Sequence, residues 1–517
     1  MSTPAPQLEN AKLNDLQSVT LGNQKVVRDP APEQIVQVMD AILELIDQLE
    51  QGSIAELTED ADLLGVINHR IAELDASVNE NLNAVMQDEE FRRLESAWRG
   101  LHYLVSRAET GTMLKLRLLN ATKDEIYKDL DRAVEFDQSS QFKKVYEEEY
   151  GTFGGAPYSV LVGDYNFTRS VKDIAWLEKM SNVAAAAHAP FIAAADPALF
   201  DLNSFAELGN PRDLAKIFES SELAKWRSFR DSEDSRYVAL CLPRFLLRSP
   251  YGRDNYLPLQ TNGKPPEAER VTGRVPADAV DFQEGVDGKP ENIETYCWGN
   301  PAYALGERIT NAFALYKWTA AIRGVEGGGL VEGIPTVTFK TDEGDKVLKY
   351  PTETAITDRR EKELNDLGFI TLVHCKNTDK AAFFGGHTAQ KAKEYQDPQA
   401  TANARLSAQL PYIMAASRFA HYIKAMMRDK VGSFMTKENV SDYLNKWIAD
   451  YVLLDDRASQ ASKASYPLRE ARIDVEDVVG KPGVYKAVVY LRPHFQLDEL
   501  TASLRLVAEL PPPATPA

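Results

Sequence analysis

Four short apolar runs in the middle of the chain constrain its fold more than any other feature. They are SVLVGD (159–164), FIAAAD (191–196), YVALCLP (237–243) and FITLVHC (369–375), and none of them alternates apolar with polar residues. Such runs are typical of strands covered on both faces. A helical pattern separates the first two, and alternation of strand and helix indicates an α/β layer. We therefore predict an α/β fold with a mixed, largely parallel central sheet.

Helical patterns lie on both sides of this region. An apolar stripe over residues 33–50 ends at Gly52, and the stretch from 61 to about 108 predicts two or three further helices. After residue 380, long stripes run through residues 400–434 and 437–454. Residues 1–32 are polar, carry four prolines and are predicted to form an extended arm.

The C-terminal part of the chain contains three strand-like runs, ARIDVED (471–477), VYKAVVYLRPHF (484–495) and TASLRLVAEL (501–510). They are too few to close a sheet by themselves, and an open strand edge is a template for strands of other chains. We predict that residues 484–508 form a small sheet completed by neighbouring chains. The residues predicted to lie on these inter-subunit strands are Tyr485, Val488, Tyr490, Leu504 and Leu506.

The length of 517 residues predicts about three domains. We expect an N-terminal arm and helix over 1–60 and an α/β body over 61–380, which includes an irregular insertion near 249–295. Residues 381–517 are expected to form a domain of helices and strands that makes inter-subunit contacts.

The loop GVEGGGLVEG (324–333) is the stretch most similar to a ligand-binding loop. A phosphate-binding P-loop needs Gly-Lys-Ser/Thr after its spacer, whereas Leu330 and Val331 follow Gly329. Glu326 and Glu332 would also repel a phosphate. The pattern favours a helix C-terminus that runs into a closely packed loop.

The segments around this loop are in the wrong order for a nucleotide site. Before it, residues 299–324 predict a helix with Asn300 as N-cap, Pro301 in the first turn and Gly324 as its end. After it, PTVTFKTDEGDKVLKY (335–350) predicts a hairpin. Nucleotide loops instead follow a strand and precede a helix.

Other chemical motifs are weak. Asp164 ends an apolar run, as a magnesium-binding carboxylate would, but without a P-loop it is typical of a strand-end turn. The seven histidines form no HExxH motif, and the three cysteines form no CxxC motif. We expect no catalytic residue, no metal and no cofactor. The alternative is a cytoplasmic α/β enzyme with a phosphate-binding loop at 324–333 and Asp164 in its site.

Charge and hydropathy restrict the partners. The formal net charge is −18, which disfavours a nucleic-acid scaffold, because binding to phosphates needs a dense cationic face. No window contains the run of about 18 apolar residues that a membrane helix requires. The first residues do not resemble a secretory signal. We therefore expect a cytoplasmic protein with no nucleic acid and no membrane insertion.

Several long stretches together resemble one family, the large subunit of the contractile sheath of the bacterial type VI secretion system (TssC/VipB family), which is distantly similar to phage tail sheath proteins. The stretches are FRRLESAWRGLHYLV (91–105), LVGDYNF (161–167), LPRFLLRSPYG (242–252), WGNPAYALGERIT (298–310), AAIRGVEGGGLVEGIPT (320–336), AITDRREKELNDLGFITLVHCKNTD (355–379), AAFFGG (381–386) and residues 400–434.

This resemblance implies a structural, non-enzymatic role. Members of the family pair with a small sheath subunit (TssB/VipA-like) and polymerise as a helical cylinder around an inner tube (Hcp-like) above a baseplate. The sheath contracts, propels the tube, and is then dismantled by an AAA+ unfoldase (ClpV-like) that hydrolyses the ATP.

The N-terminal arm contains LENAKLNDLQSV (8–19), which could form a short amphipathic helix with Leu13, Leu16 and Val19 as anchors. In the resembling family, the unfoldase recognises an N-terminal helix of this subunit. The alternatives for this arm are a disordered tail and a segment that packs on the small subunit.

Overall fold

The computed structural model describes residues 60–210, 213–251, 257–258, 279–280, 282, 284, 296–340, 346–433, 435–478, 485–494 and 496. The chain divides into two compact units, residues 1–77 and 78–517. The predicted arm, the predicted helix at 33–50 and the predicted strand at 501–510 lie outside the described residues.

The α-helices of the described part, in chain order, are α1 Asp60–Met86, α2 Glu89–Arg107, α3 Lys123–Arg132, α4 Val171–Ala187, α5 Leu214–Glu219, α6 Ala224–Asp231, α7 Pro301–Tyr316, α8 Asp358–Asp366, α9 Pro398–Ser407, α10 Leu410–Lys430, α11 Lys437–Ala449 and α12 Gln460–Ser465. A short α-helical stretch, Ser140–Phe142, leads into a π-helix, Lys143–Tyr150.

The strands of the same part are β1 Leu161–Phe167, β2 Phe191–Ala195, β3 Val238–Leu242, β4 Phe245–Arg248, β5 Leu257–Pro258, β6 Ala279–Val280, β7 Cys297–Gly299, β8 Leu330–Val331, β9 Val337–Lys340, β10 Lys346–Lys349, β11 Phe369–His374, β12 Ala381–Phe383, β13 Leu468–Asp477 and β14 Tyr485–Pro493.

The central sheet has six strands in the order β1-β2-β3-β11-β12-β8. The four strands β1, β2, β3 and β11 are parallel, and β12 and β8 are added antiparallel. The four apolar runs are therefore adjacent strands, and the predicted mixed, largely parallel sheet is confirmed.

Burial on both faces explains why these runs do not alternate. All five residues of β2 and all five of β3 are buried. Phe191 and Phe369 point into a core shared with α4 and α6, whereas Ile192 and Ile370 point into a second core shared with α7. Trp226 stacks on Phe369 in the first core, with ring centroids 5.7 Å apart. Because successive side chains point to opposite faces, the residues at both odd and even positions must be apolar.

The helix predicted over 299–324 begins as expected but ends early. The Asn300 side chain accepts a hydrogen bond from the Ala302 N–H at 2.9 Å, and Pro301 occupies the first turn. The helix ends at Tyr316 because Lys317 adopts a left-handed conformation with φ of 63°. Trp318 can then enter the core of the C-terminal helices, so the predicted end at Gly324 is wrong.

The predicted hairpin at 335–350 is confirmed, since β9 and β10 pair antiparallel with Val337 opposite Lys349.

In the predicted insertion near 249–295, Glu284 is buried and its carboxylate accepts a hydrogen bond from Arg248 at 2.9 Å. Arg248 also pairs with Glu95 of α2 at 2.5 Å. This charge network fixes Glu284 to the body.

Candidate assembly surface

Strands β13 and β14 form the candidate assembly surface and lie on a small hydrophobic core of their own. Helices α10 and α11 and strand β13 supply its buried side chains, and Trp318 stacks on Phe419 with ring centroids 4.5 Å apart. The other buried members are Ile423, Val440, Leu444, Ile448, Leu468, Ile473 and Val475. This core gives β13 and β14 a fixed position outside the six-stranded sheet.

Strands β13 and β14 form a two-stranded antiparallel ladder within this chain. The predicted runs 471–477 and 484–495 thus pair with each other. Tyr485 lies opposite Asp477, Val488 opposite Asp474 and Tyr490 opposite Arg472. The other two predicted residues, Leu504 and Leu506, lie outside the described residues.

The two faces of the ladder differ. Tyr485, Val489 and Leu491 pack against the C-terminal core. Because side chains alternate, Val488 and Tyr490 lie on the opposite face, where the Arg472 guanidinium stacks on the Tyr490 ring at 4.8 Å.

Asn445 of α11 caps the outer edge of β13 at Ile473. The Asn445 side-chain amide donates to the Ile473 carbonyl oxygen at 2.7 Å and accepts from the Ile473 N–H at 2.9 Å. The backbone groups of Ile473 therefore point away from β14. Since Ile473 lies opposite Val489, this is a non-hydrogen-bonded pair of the ladder.

The non-hydrogen-bonded pair of Ile473 and Val489 determines which backbone groups of β14 are directed outward. Alternation along an antiparallel ladder directs the N–H and C=O of Ala487, Val489 and Leu491 to the outer edge of β14. Val488 and Tyr490 instead direct theirs to β13. Within the described ranges, no strand other than β13 pairs with β14. The edge thus presents a regular row of backbone donors and acceptors.

The glycine loop at 324–333 is packed against the central sheet. The Gly324 N–H donates to the Phe383 carbonyl at 2.6 Å, and the Gly329 N–H donates to the Gly324 carbonyl at 2.8 Å. A Cβ at Gly329 would lie 2.6 Å from the Phe383 oxygen, so only glycine fits there. The loop continues into β8, which pairs with β12. The Gly324 and Gly329 amides are thus bonded within the chain and are not directed at a ligand.

Asp164 lies within β1, which continues to Phe167, so the prediction that it ends the strand is wrong. Asp164 is exposed as a whole residue. Desolvation of its carboxyl group raises the pKa of Asp164, while the hydrogen bonds that this group makes with Tyr303 and Asn300 act in the opposite direction. In the part of the chain that the structure describes, no group of three or more His, Cys, Asp or Glu residues is arranged to hold a metal ion.

Two features of the surface were not predicted. Asn445 forms a hydrogen bond with Ile473 of β13, which is 28 residues further along the chain, and a single sequence gives no signal for such a contact. Residues 112–120, TMLKLRLLN, form a mostly exposed segment outside any helix or strand, and its alternating pattern was visible in the sequence. The described helices include none that is long and apolar enough to cross a membrane.

Comparison with known proteins places this architecture in one class. Residues 68–262 and 268–390 match the family model described as EvpB/VC_A0108, tail sheath N-terminal domain. Residues 399–510 match the model described as EvpB/VC_A0108, tail sheath gpW/gp25-like domain. The fold and its C-terminal module are therefore those of a contractile tail sheath protein.

A curated relative gives the same assignment. The chain is 49% identical over 453 residues to the type VI secretion system sheath protein TssC1 of Pseudomonas aeruginosa, covering 87% of each chain. The chain belongs to the EvpB/VC_A0108 tail sheath family, and the resemblance inferred from its sequence is confirmed. It is a structural subunit of the contractile sheath of a type VI secretion system.

Two solved structures show weaker similarity. A chain of the anti-feeding prophage baseplate has a TM-score of 0.33 and 10% identity, covering 65% of this chain and 66% of that chain. A chain of the anti-feeding prophage helical sheath in the contracted state has a TM-score of 0.29 and 11% identity, covering 64% of this chain and 66% of that chain.

Proposed function

We propose that this chain pairs with a small sheath subunit (TssB/VipA-like) and polymerises helically around an inner tube, with the outer edge of β14 as a joint between subunits. One observation carries this proposal. The ladder of β13 and β14 is capped at Ile473 by Asn445 on one edge, and its other edge is lined by the outward backbone groups of Ala487, Val489 and Leu491. An edge of this kind accepts a strand of another chain.

A joint made of strands suits a sheath that contracts. Its hydrogen bonds connect backbone to backbone, so they hold subunits together without fixing the orientation of the bodies that carry the strands. The six-stranded body can then turn as a rigid unit during contraction. A head-to-tail contact that does not close into a ring propagates into a helical tube.

The remaining partners follow from membership of the family and from the sequence. We propose contact with an inner tube protein (Hcp-like) and a baseplate, and disassembly by an AAA+ unfoldase (ClpV-like) that docks on Leu13, Leu16 and Val19. This chain is proposed to act in the cytoplasm without catalytic activity. The self-bonded glycine loop supports that view, because the Gly324 and Gly329 amides are already used.

The predicted division at residues 60 and 380 is retained as a proposal. The matched family models support a boundary in the second place, since one ends at residue 390 and the next begins at residue 399.

The joint can be tested with one substitution at an exposed position of β14. Ala487→Pro removes an outward N–H and places the ring over the edge, while the pairs to β13 on either side remain. We expect a folded chain that no longer forms tubules when co-expressed with the small subunit, as seen by electron microscopy. Ala487→Ser keeps the N–H and is the matched control. Normal tubules from Ala487→Pro would refute the joint.

A further inference from the structure

Residues 112–120 form a second surface that the C-terminal joint does not explain. Met113 is 70% exposed and Leu118 is 69% exposed, and Leu116 and Leu119 are also exposed. Large apolar side chains concentrated in one short segment mark a contact site more often than solvent-facing surface.

The backbone of this segment bends at Thr112 and Met113 and then continues outside any helix or strand of the described residues. Residues 114–122 contain neither turn nor bend, and the Gly111 N–H donates to the Leu114 carbonyl at 2.9 Å. After Leu114, residues 115–120 make no backbone–backbone hydrogen bond with any residue that the structure describes. The sequence pattern of the segment is typical of a strand, but the segment belongs to no ladder in the described part of the chain.

Side chains nevertheless hold the segment in place. Arg117 forms an ion pair with Glu149 and donates to the Tyr158 hydroxyl at 3.2 Å. A few residues later, the Tyr165 hydroxyl of β1 donates to the Ala121 carbonyl at 2.6 Å. A strand fixed in this way loses little conformational entropy on pairing, which favours binding.

The charges of the segment indicate the kind of strand that it accepts. Lys115 and Arg117 both lie near the single carboxylate of Glu149, which leaves an excess of positive charge. Antiparallel pairing of two copies about Leu116 would place Lys115 opposite Arg117 of the other copy, and parallel pairing in register would place Lys115 against itself. Like charges directly opposite each other are destabilising, so a second copy is disfavoured. An acidic residue at that position would be favourable.

We propose that residues 112–120 pair as a β-strand with an extended segment of the small sheath subunit that is apolar on one face and acidic on the other. This inference rests on the proposed pairing with the small subunit and names one of its contact sites. It is separate from the β14 edge, which lies in the C-terminal module.

Hydrogen exchange measured on the full chain, alone and with the purified small subunit, tests the pairing directly. We expect the amides of 115–120 to exchange fast in the free chain and to be protected in the complex. Protection already present in the free chain would show that another part of this chain or a second copy covers the segment, and would overturn the inference. A complex that forms without protection would overturn it too, while leaving the proposed function intact. No complex at all would refute the proposed function itself.

Two adjacent prolines give a second test. The N–H groups of Leu118 and Leu119 point to opposite edges of the strand, so Leu118→Pro and Leu119→Pro each remove donors from one edge only. We expect at least one of them to weaken binding of the small subunit by about tenfold or more, which corresponds to ~1.4 kcal/mol. Unchanged affinity in both variants would contradict the ladder.

A matched pair of charge substitutions separates this site from a general effect of exposed apolar residues. Leu118→Asp should weaken binding by about tenfold or more, because it buries a charge on the apolar face of the strand pair. Val134 is 89% exposed and lies outside the segment, so Val134→Asp should leave the affinity unchanged. Equal losses in the two variants would overturn the assignment.

Discussion

Replacing Asn445 with alanine should weaken the β13 edge in a way that can be measured at a single amide. The substitution removes the two hydrogen bonds, 2.7 and 2.9 Å long, that the side chain makes with the Ile473 backbone. Ile473 is buried, so water replaces these bonds poorly. An unsatisfied buried group costs ~1–3 kcal/mol. We expect a loss of ~2 kcal/mol in the local opening free energy, which is ~30-fold faster exchange at this amide.

The assay is native-state hydrogen exchange of the Ile473 amide, read by mass spectrometry of peptides that cover β13. Asn439→Ala is the matched control, because Asn439 is an exposed asparagine on the same helix. It should leave exchange at Ile473 unchanged. If Asn445→Ala also left exchange unchanged, the edge would not be closed by this side chain, and the orientation assigned to the outward groups of β14 would lose its basis.

Three further predictions follow from the body and the arm. Leu240 is fully buried in the central sheet, so Leu240→Asp should destabilise the fold by more than ~4 kcal/mol and leave the chain insoluble on expression; a soluble variant with native circular dichroism would contradict this. Burial lowers the pKa of His421 to about 4, so the unfolded chain binds more protons than the folded one. Stability should therefore fall by up to ~2 kcal/mol between pH 6.5 and pH 5, and His421→Gln should reduce that loss in thermal unfolding; an identical pH dependence in both proteins would refute it. Deleting residues 1–20 should leave assembly and contraction intact while contracted tubes accumulate in cells. Normal disassembly would eliminate the recycling role, and failed assembly would point to packing on the small subunit.

The central sheet could be predicted from the sequence because each strand carries its own signal. A strand such as Phe191–Ala195 is apolar at every position, and only burial on both faces requires that. The signal for the start of α7 is equally local, since Asn300 and Pro301 are adjacent to the turn that they stabilise. By contrast, β8 comprises only Leu330 and Val331, which is too short for any periodic pattern to be visible.

The features that sequence could not give depend on distant contacts. Helix α7 ends at Tyr316 with Lys317, not a glycine, in the left-handed conformation, and the chain then brings Trp318 to a core formed by residues more than 100 positions later. Asn445 is one of many polar residues on a helix surface until β13 is in place beside it. The partner residues named in the C-terminal runs stay predictions, and only the ladder with β13 shows that Ala487 and Val489, rather than Val488, carry the outward backbone groups.

The central claim is that the outer edge of β14 joins one subunit to another. A cryo-electron microscopy map of tubules assembled from the full chain and the small subunit tests it most directly. We predict a strand of a neighbouring chain hydrogen-bonded to the backbone of Ala487, Val489 and Leu491. A β14 edge that faces solvent in the tubule, or that is covered by residues 501–510 of the same chain, would contradict the claim.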